Sequence, residues 1–250
     1  MTAAVVPVAV AIETATETVG VAVRTGSGLE AELVLRGRRR HVESLTPALE
    51  HLLGQVGATT PDIGVMAVDV GPGLFTGLRV GVAAAKGLAQ ALGVGVLGAT
   101  SLDILTAGAA EAGHRGLVLA CVDARRGEVF ASLGRLGADG APQAQPVAPG
   151  LFTPASLVAS LGRLAGEPIH AVGDGAQRYC ALLAKVPGVA VVAPALSFPP
   201  PSALLRHALA RLEQGEALVD AASVVPLYMR EADAKSNFVQ ARGASQPESR

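Results

Sequence analysis

One order of elements is written twice along this chain, and that repetition restricts the fold more than any single residue does. Residues 5–12, 19–25 and 29–36 read as strands, joined by short turns such as Thr25-Gly26-Ser27-Gly28. Val42, Leu45, Leu49, Leu52, Leu53 and Val56 then recur at helical spacing, which predicts a helix over 41–56 that Gly57 ends. A strand over 65–70, a Gly-rich turn, a helix over 77–92, a strand over 94–98 and a helix opening near Ser101, read as its N-cap, complete the first series. The second series has strands over 117–123 and 128–136, a third near 144–148, and a helix over 154–165 opened by Thr153-Pro154. A strand over 168–173, a helix over 176–185, a strand over 189–193 and a helix over 202–215 follow. Residues do not repeat; the architecture does. Adjacent strands followed by strands alternating with helices predict an α/β fold with a mixed, helix-flanked sheet made twice. The expected division is 1–113, then 114–230 with its last helix free to return to the first lobe, then 231–250. That last stretch is polar and lacks periodicity, so it is expected to be disordered.

Composition excludes several classes. The chain has 250 residues, half of them apolar, enough for a sizeable core. A net charge of −1 and 3% aromatics lack the basic excess and stacking rings of a direct nucleic-acid binder, so any RNA connection is expected to be indirect. Two distant cysteines, Cys121 and Cys180, make no disulfide framework and fit a reduced, cytoplasmic setting. The N-terminal MTAAVVPVAVAIET lacks a basic start and reads as a buried strand rather than a leader. The uncharged stretches 140–162 and 186–205 are broken by prolines, so no membrane span is expected.

The segment Gly71-Pro72-Gly73-Leu74-Phe75-Thr76-Gly77-Leu78-Arg79-Val80-Gly81 lies between a strand and a helix. Backbone amides at such a helix start can hold an anion. The spacing fits neither a P-loop nor a dinucleotide fingerprint, and the alternative is a tight turn with close helix–sheet packing. In the following helix Arg79, Lys86 and Gln90 form one narrow polar stripe, while Gly77, Gly81 and Ala85 lie four apart on another face. A helix covered on one side needs only one apolar face, and this one is nonpolar over most of its circumference. Two readings follow: burial on both sides within the chain, or a contact face for another helix. The candidate contact residues on this helix and on 41–56 are His41, Leu45, Leu49, Leu78, Gly81, Val82 and Ala85. Arg36, Arg38, Arg39 and Arg40 read either as a site for an anionic partner or as a solvated hairpin end. None of the five histidines has another within four residues, and no GxSxG is present, so neither a helical metal motif nor a nucleophile elbow is read here. Glu13, Asp69, Asp123 and Asp174 fall at strand ends, where α/β proteins place ligand groups and where any buried strand also meets water.

Five motifs, AIETAT (11–16), GPGLFTGLRVG (71–81), ATSLD (99–103), VDARRGEVF (122–130) and PLYMR (226–230), occur in order. Together they resemble the TsaB family, also called YeaZ. The resemblance implies a fold of the actin/Hsp70/sugar-kinase superfamily, with two ribonuclease-H-like lobes. It implies a role in making N6-threonylcarbamoyladenosine at position 37 of tRNA, as a non-catalytic scaffold for the catalytic paralogue TsaD. The ATPase TsaE joins the pair, and TsaC supplies threonylcarbamoyl-AMP. A homodimer through the first two long helices is implied when the protein is alone, with no cofactor of its own and ATP or ADP at the joint interface with TsaD. The worn phosphate-loop positions would be Glu13, Thr14, Gly71, Gly73 and Thr76, and Gly173-Asp174-Gly175 resembles a worn adenosine loop. The chain departs from the family in having Glu13 where aspartate is common. Where the paralogue carries an HxxxH metal motif, this chain reads ATSLDILTAG, without histidine. The rival readings are a stand-alone ATP-dependent transferase and a direct tRNA-binding module.

Overall fold

The computed structural model describes residues 7–37, 41–164, 166–192 and 194–230, apart from the side chain of His41. The expectations for Arg38–Arg40, for the His41 side chain and for 231–250 therefore lie outside the described residues. The first series forms β1 (Val8–Glu13), β2 (Thr18–Arg24), β3 (Glu30–Arg36), α1 (His41–Gln55), β4 (Ile63–Gly71), α2 (Phe75–Leu92), β5 (Val96–Thr100) and α3 (Ser101–Glu111). The second forms β6 (Gly116–Arg125), β7 (Glu128–Leu136), β8 (Pro142–Phe152), α4 (Pro154–Leu161), β9 (Ile169–Val172), α5 (Asp174–Arg178), α6 (Cys180–Leu183), β10 (Val189–Val191) and α7 (Pro201–Glu213). The sheets have one topology: β3-β2-β1-β4-β5 in the first and β8-β7-β6-β9-β10 in the second. In each, the first three strands pair antiparallel and the last two join in parallel.

Strand alternation sorts the layers. On β1, Val8, Val10 and Ile12 point into the core under α1 and α2, whereas Ala9 and Ala11 point to the opposite face, against α7. Small residues on that face, with Ala22, Ala67 and Ala99, let α7 lie close on the sheet. On β6, Leu117, Leu119 and Cys121 face the core beneath α4, while Val118, Ala120 and Val122 face α3. The two middle helices are thus exchanged: α3 follows the first sheet in sequence and packs on the second, and α7 ends the chain's second series and packs on the first. Arg206 of α7 ties them together through Glu111 of α3 and Glu30 of β3.

Three local expectations are corrected. Thr100, not Ser101, caps α3, its hydroxyl accepting from the Asp103 amide at 3.1 Å. The helix expected over 176–185 is broken at Tyr179, whose backbone (φ −109°, ψ 23°) leaves the helical region while its ring packs on the second-lobe core. The strand expected near 144–148 extends over eleven residues in spite of Pro142, Pro146 and Pro149: β8 is an edge strand with one side unpaired, and Pro146 and Pro149 fall where its register with β7 shifts. No helix among the described residues is long and apolar enough to cross a membrane.

Candidate functional site

The duplication brings four carboxylates to equivalent places. Glu13 ends β1 and Asp123 lies near the end of β6; Asp69 lies near the end of β4 and Asp174 just after β9. Their surroundings differ. In the first lobe Glu13 and Asp69 are both fully buried. The Ala15 amide and the Thr18 hydroxyl each donate to the Glu13 carboxylate at 2.8 Å. Asp69 Oδ1 accepts from the Gly71 amide at 2.7 Å and the Ser101 hydroxyl at 2.8 Å, while its buried Oδ2 has no partner among the described residues. Burial, and after it the charge of Asp69, pushes the Glu13 carboxyl well above the usual carboxylate range. Burial likewise pushes Asp69 up to about 7. In the second lobe arginines offset the charge: Asp123 Oδ2 accepts from Arg125 at 2.9 Å and Arg178 at 3.1 Å. Asp174 accepts from the Asp123 amide at 2.8 Å, and burial raises it to about 6.

The worn phosphate-loop candidates meet only in part. Glu13, Thr14, Gly71 and Gly73 converge where β1, β4 and the start of α2 come together. Thr76 does not join them and is exposed on the outer side of α2. Around these glycines the chain packs closely on its own backbone. A Cβ on Gly73 would stand 2.1 Å from the Ala15 carbonyl oxygen, and the Leu74 amide donates to that oxygen at 2.6 Å. The Thr14 hydroxyl donates to the Gly77 carbonyl at 2.8 Å, and the Leu227 carbonyl lies over Gly71. In the second lobe a Cβ on Gly173 would come within 2.0 Å of the Cys121 carbonyl oxygen. At Gly73 and Gly173 the missing side chain is what permits this close backbone packing. Among the described residues no three His, Cys, Asp or Glu side chains gather as a metal-binding group.

The surface expectation for α1 and α2 needs correction residue by residue. Leu45, Leu49, Leu78, Gly81, Val82 and Ala85 are buried in the first-lobe core. Gly81 faces β1 so closely that a Cβ would meet Thr14 Oγ1 at 2.2 Å. The small-residue stripe therefore seats α2 on its own sheet. The opposite side carries the accessible apolar surface: Val42 is 73% exposed and Phe75 43%, and with Thr46, Thr76, Val80 and Ala83 they line a shallow depression. Beside it the Arg79 guanidinium lies 3.7 Å from the centre of the Phe75 ring and donates through Nε to the Tyr228 hydroxyl at 3.0 Å. Phe75 and Tyr228 stand 5.2 Å apart, ring centre to centre. Tyr228 sits on a C-terminal strap held by the Leu227 amide on the Val70 carbonyl (2.7 Å) and by Lys86 on the carbonyls of Ala222 and Val224 (2.9 Å each). Sequence reasoning missed Val42, Phe75 and Tyr228 as surface residues. Phe75 and Tyr228 stand inside two of the quoted motifs, but nothing in either motif shows that they meet.

Two lobes of one sheet order, each with a carboxylate at the end of its first strand, define a member of the actin/Hsp70/sugar-kinase superfamily built from ribonuclease-H-like halves. A family model described as "TsaD: tRNA N6-adenosine threonylcarbamoyltransferase" matches residues 35–238. The chain belongs to that family, and within it to the TsaB (YeaZ) group. A structure of YeaZ from Pseudomonas aeruginosa superimposes with a TM-score of 0.75 at 26% identity, covering 89% of this chain and 99% of that one. The tRNA threonylcarbamoyladenosine biosynthesis protein TsaB of Escherichia coli (strain K12) is 36% identical over 120 residues, 48% of this chain and 52% of that protein. Its Bacillus subtilis (strain 168) namesake is 33% identical over 123 residues, 49% of this chain and 53% of that protein. The aligned region thus spans about half the length of the curated relatives it matches.

Proposed function

We propose that this chain is the scaffold subunit in the synthesis of N6-threonylcarbamoyladenosine on tRNA, docking the catalytic paralogue TsaD, with TsaE as a further member of the assembly. The observation that carries this reading is the exposed apolar face of α1 and α2, set on a lobe whose glycine loop packs closely on its own backbone. A patch rimmed by Arg79 and the Phe75–Tyr228 ring pair suits a protein partner, because aromatic and arginine anchors dominate such interfaces. The names of the matched relatives support the pathway. The close packing of the glycine loop favours an accessory rather than a catalytic role, with any ATP or ADP held jointly with TsaD, over a stand-alone ATP-dependent transferase. The same face is available to a second copy when the partner is absent, so the free protein is expected to form a homodimer through it. The net charge of −1 supports contact with tRNA through the assembly rather than by this chain alone, in a cytoplasmic setting.

The test is co-purification with the cognate TsaD. Ala83 is exposed at the centre of the face. Ala83→Arg is expected to fold normally and to lose co-elution with TsaD on size exclusion. A folded Ala83→Arg protein that still co-elutes would sink the docking surface.

A further inference from the structure

The turn between β6 and β7 holds two arginines in the left-handed backbone region, where long side chains are uncommon. Arg125 and Arg126 both have positive φ, 62° and 54°, followed by Gly127 at 82°. Arg126 and Gly127 form the two-residue loop, a geometry that favours Asn-Gly or Gly-Gly, and Arg125 follows a register shift in the strand. A long side chain in the left-handed region is uncommon and persists only where its surroundings over-determine it. Here they do. The Arg125 amide donates to Asp123 Oδ1 at 3.0 Å, and its guanidinium donates to Asp123 Oδ2 at 2.9 Å. The other guanidinium nitrogen reaches Glu17 at 2.7 Å. Glu17 belongs to the β1–β2 turn of the first lobe, so this contact crosses between the two lobes.

A second tie acts on the same turn. Arg230, at the end of the strap bound to the first lobe, donates to the Ala124 carbonyl at 3.1 Å and to the Glu128 carboxylate. The turn is therefore gripped from the β1–β2 turn on one side and from the strap on the other. An ion pair about a third exposed contributes little alone, so raw stability does not explain why strain is accepted here. Fixing one group in one place does.

We propose that Arg125 is a lobe latch: the strained turn holds a guanidinium on Glu17, bridges the space between the lobes and keeps their relative angle fixed. A cleft between two lobes is a common ligand site and a common hinge. In this chain the two lobes are bridged by the protein's own ion network. The two lobes then behave as one rigid body, independently of which partner docks on α1 and α2.

The test uses the full-length protein alone. Hydrogen exchange at the β1–β2 turn (residues 14–17) and the β6–β7 turn (residues 124–128), with the small-angle scattering radius, is compared for wild type, Glu17→Gln and Arg125→Gly. Glycine accepts positive φ without strain, so a merely local role predicts that Arg125→Gly is stabilised and alters only its own turn. The latch predicts faster exchange in both turns and a larger radius in each variant, although the turns belong to different lobes. Unchanged exchange at the β1–β2 turn in Arg125→Gly, or at the β6–β7 turn in Glu17→Gln, overturns it.

Discussion

Asp69→Asn isolates the energetic effect of the buried carboxyl pair. Asp69 is fully buried, and its carboxyl is pushed from 3.8 up to about 7. Between those values the folded chain holds a proton that the unfolded chain has released. Stability must then fall as pH rises from about 4 to about 7 and level off on either side. A rise of that size corresponds to about 4 kcal/mol in the limit of an otherwise unperturbed fold. The raised Glu13 carboxyl adds a slope of the same sign, and the charge of Asp69 is one of its causes. Asparagine keeps an oxygen to accept from the Gly71 amide and the Ser101 hydroxyl, and it places a neutral amide where Oδ2 has no partner among the described residues. Near pH 4 the variant and wild type should match, because wild-type Asp69 is neutral in the fold. At pH 8 the variant should be more stable by about 2–4 kcal/mol, the range expected once a buried charge is removed. Urea unfolding at both pH values measures the difference. An Asp69→Asn protein no more stable than wild type at pH 8 would refute the reasoning, since it would mean that the ionised carboxylate is stabilised by something the structure does not contain.

Other sites give independent checks. Gly81→Ala gains about 1 kcal/mol of helix propensity but drives a methyl group into Thr14, and overpacking of this kind costs about 1–3 kcal/mol. Net destabilisation of about 1–2 kcal/mol is expected in urea melts, with the Thr14 hydroxyl displaced from the Gly77 carbonyl. Ala83→Arg, two residues along the same helix, should leave the unfolding midpoint within about 0.5 kcal/mol of wild type while abolishing co-elution with TsaD. Cys180 is exposed, whereas Cys121 is buried and its thiol is pushed up by that burial. Iodoacetamide should therefore label Cys180 alone in the native protein and both cysteines in urea, as read by peptide mass.

Several elements were legible because their signals are local. Helix α1 was readable from leucines at helical spacing, and the strands from short apolar runs between turns. The four strand-end carboxylates were also placed correctly by this reading. What failed was facing. The α2 sequence has small residues all round: Gly77, Gly81 and Ala85 point inward, and Thr76, Ala83 and Gly87 point outward. A periodicity that sees only size cannot tell these sides apart. Val42 fitted the apolar spacing of α1 and is nevertheless its most exposed apolar residue among those described.

The sequence by itself determined the duplicated order of elements and the alternation of large and small residues along β1, since both depend on neighbours a few positions apart. Tertiary structure alone decided the rest. It exchanged α3 and α7 between the sheets, pressed the Ala15 carbonyl into the glycine loop and brought Tyr228 against Phe75. It also carried Arg125 across to Glu17. Each of these joins segments far apart in the chain, whose meeting depends on how whole layers pack and not on the residues beside them.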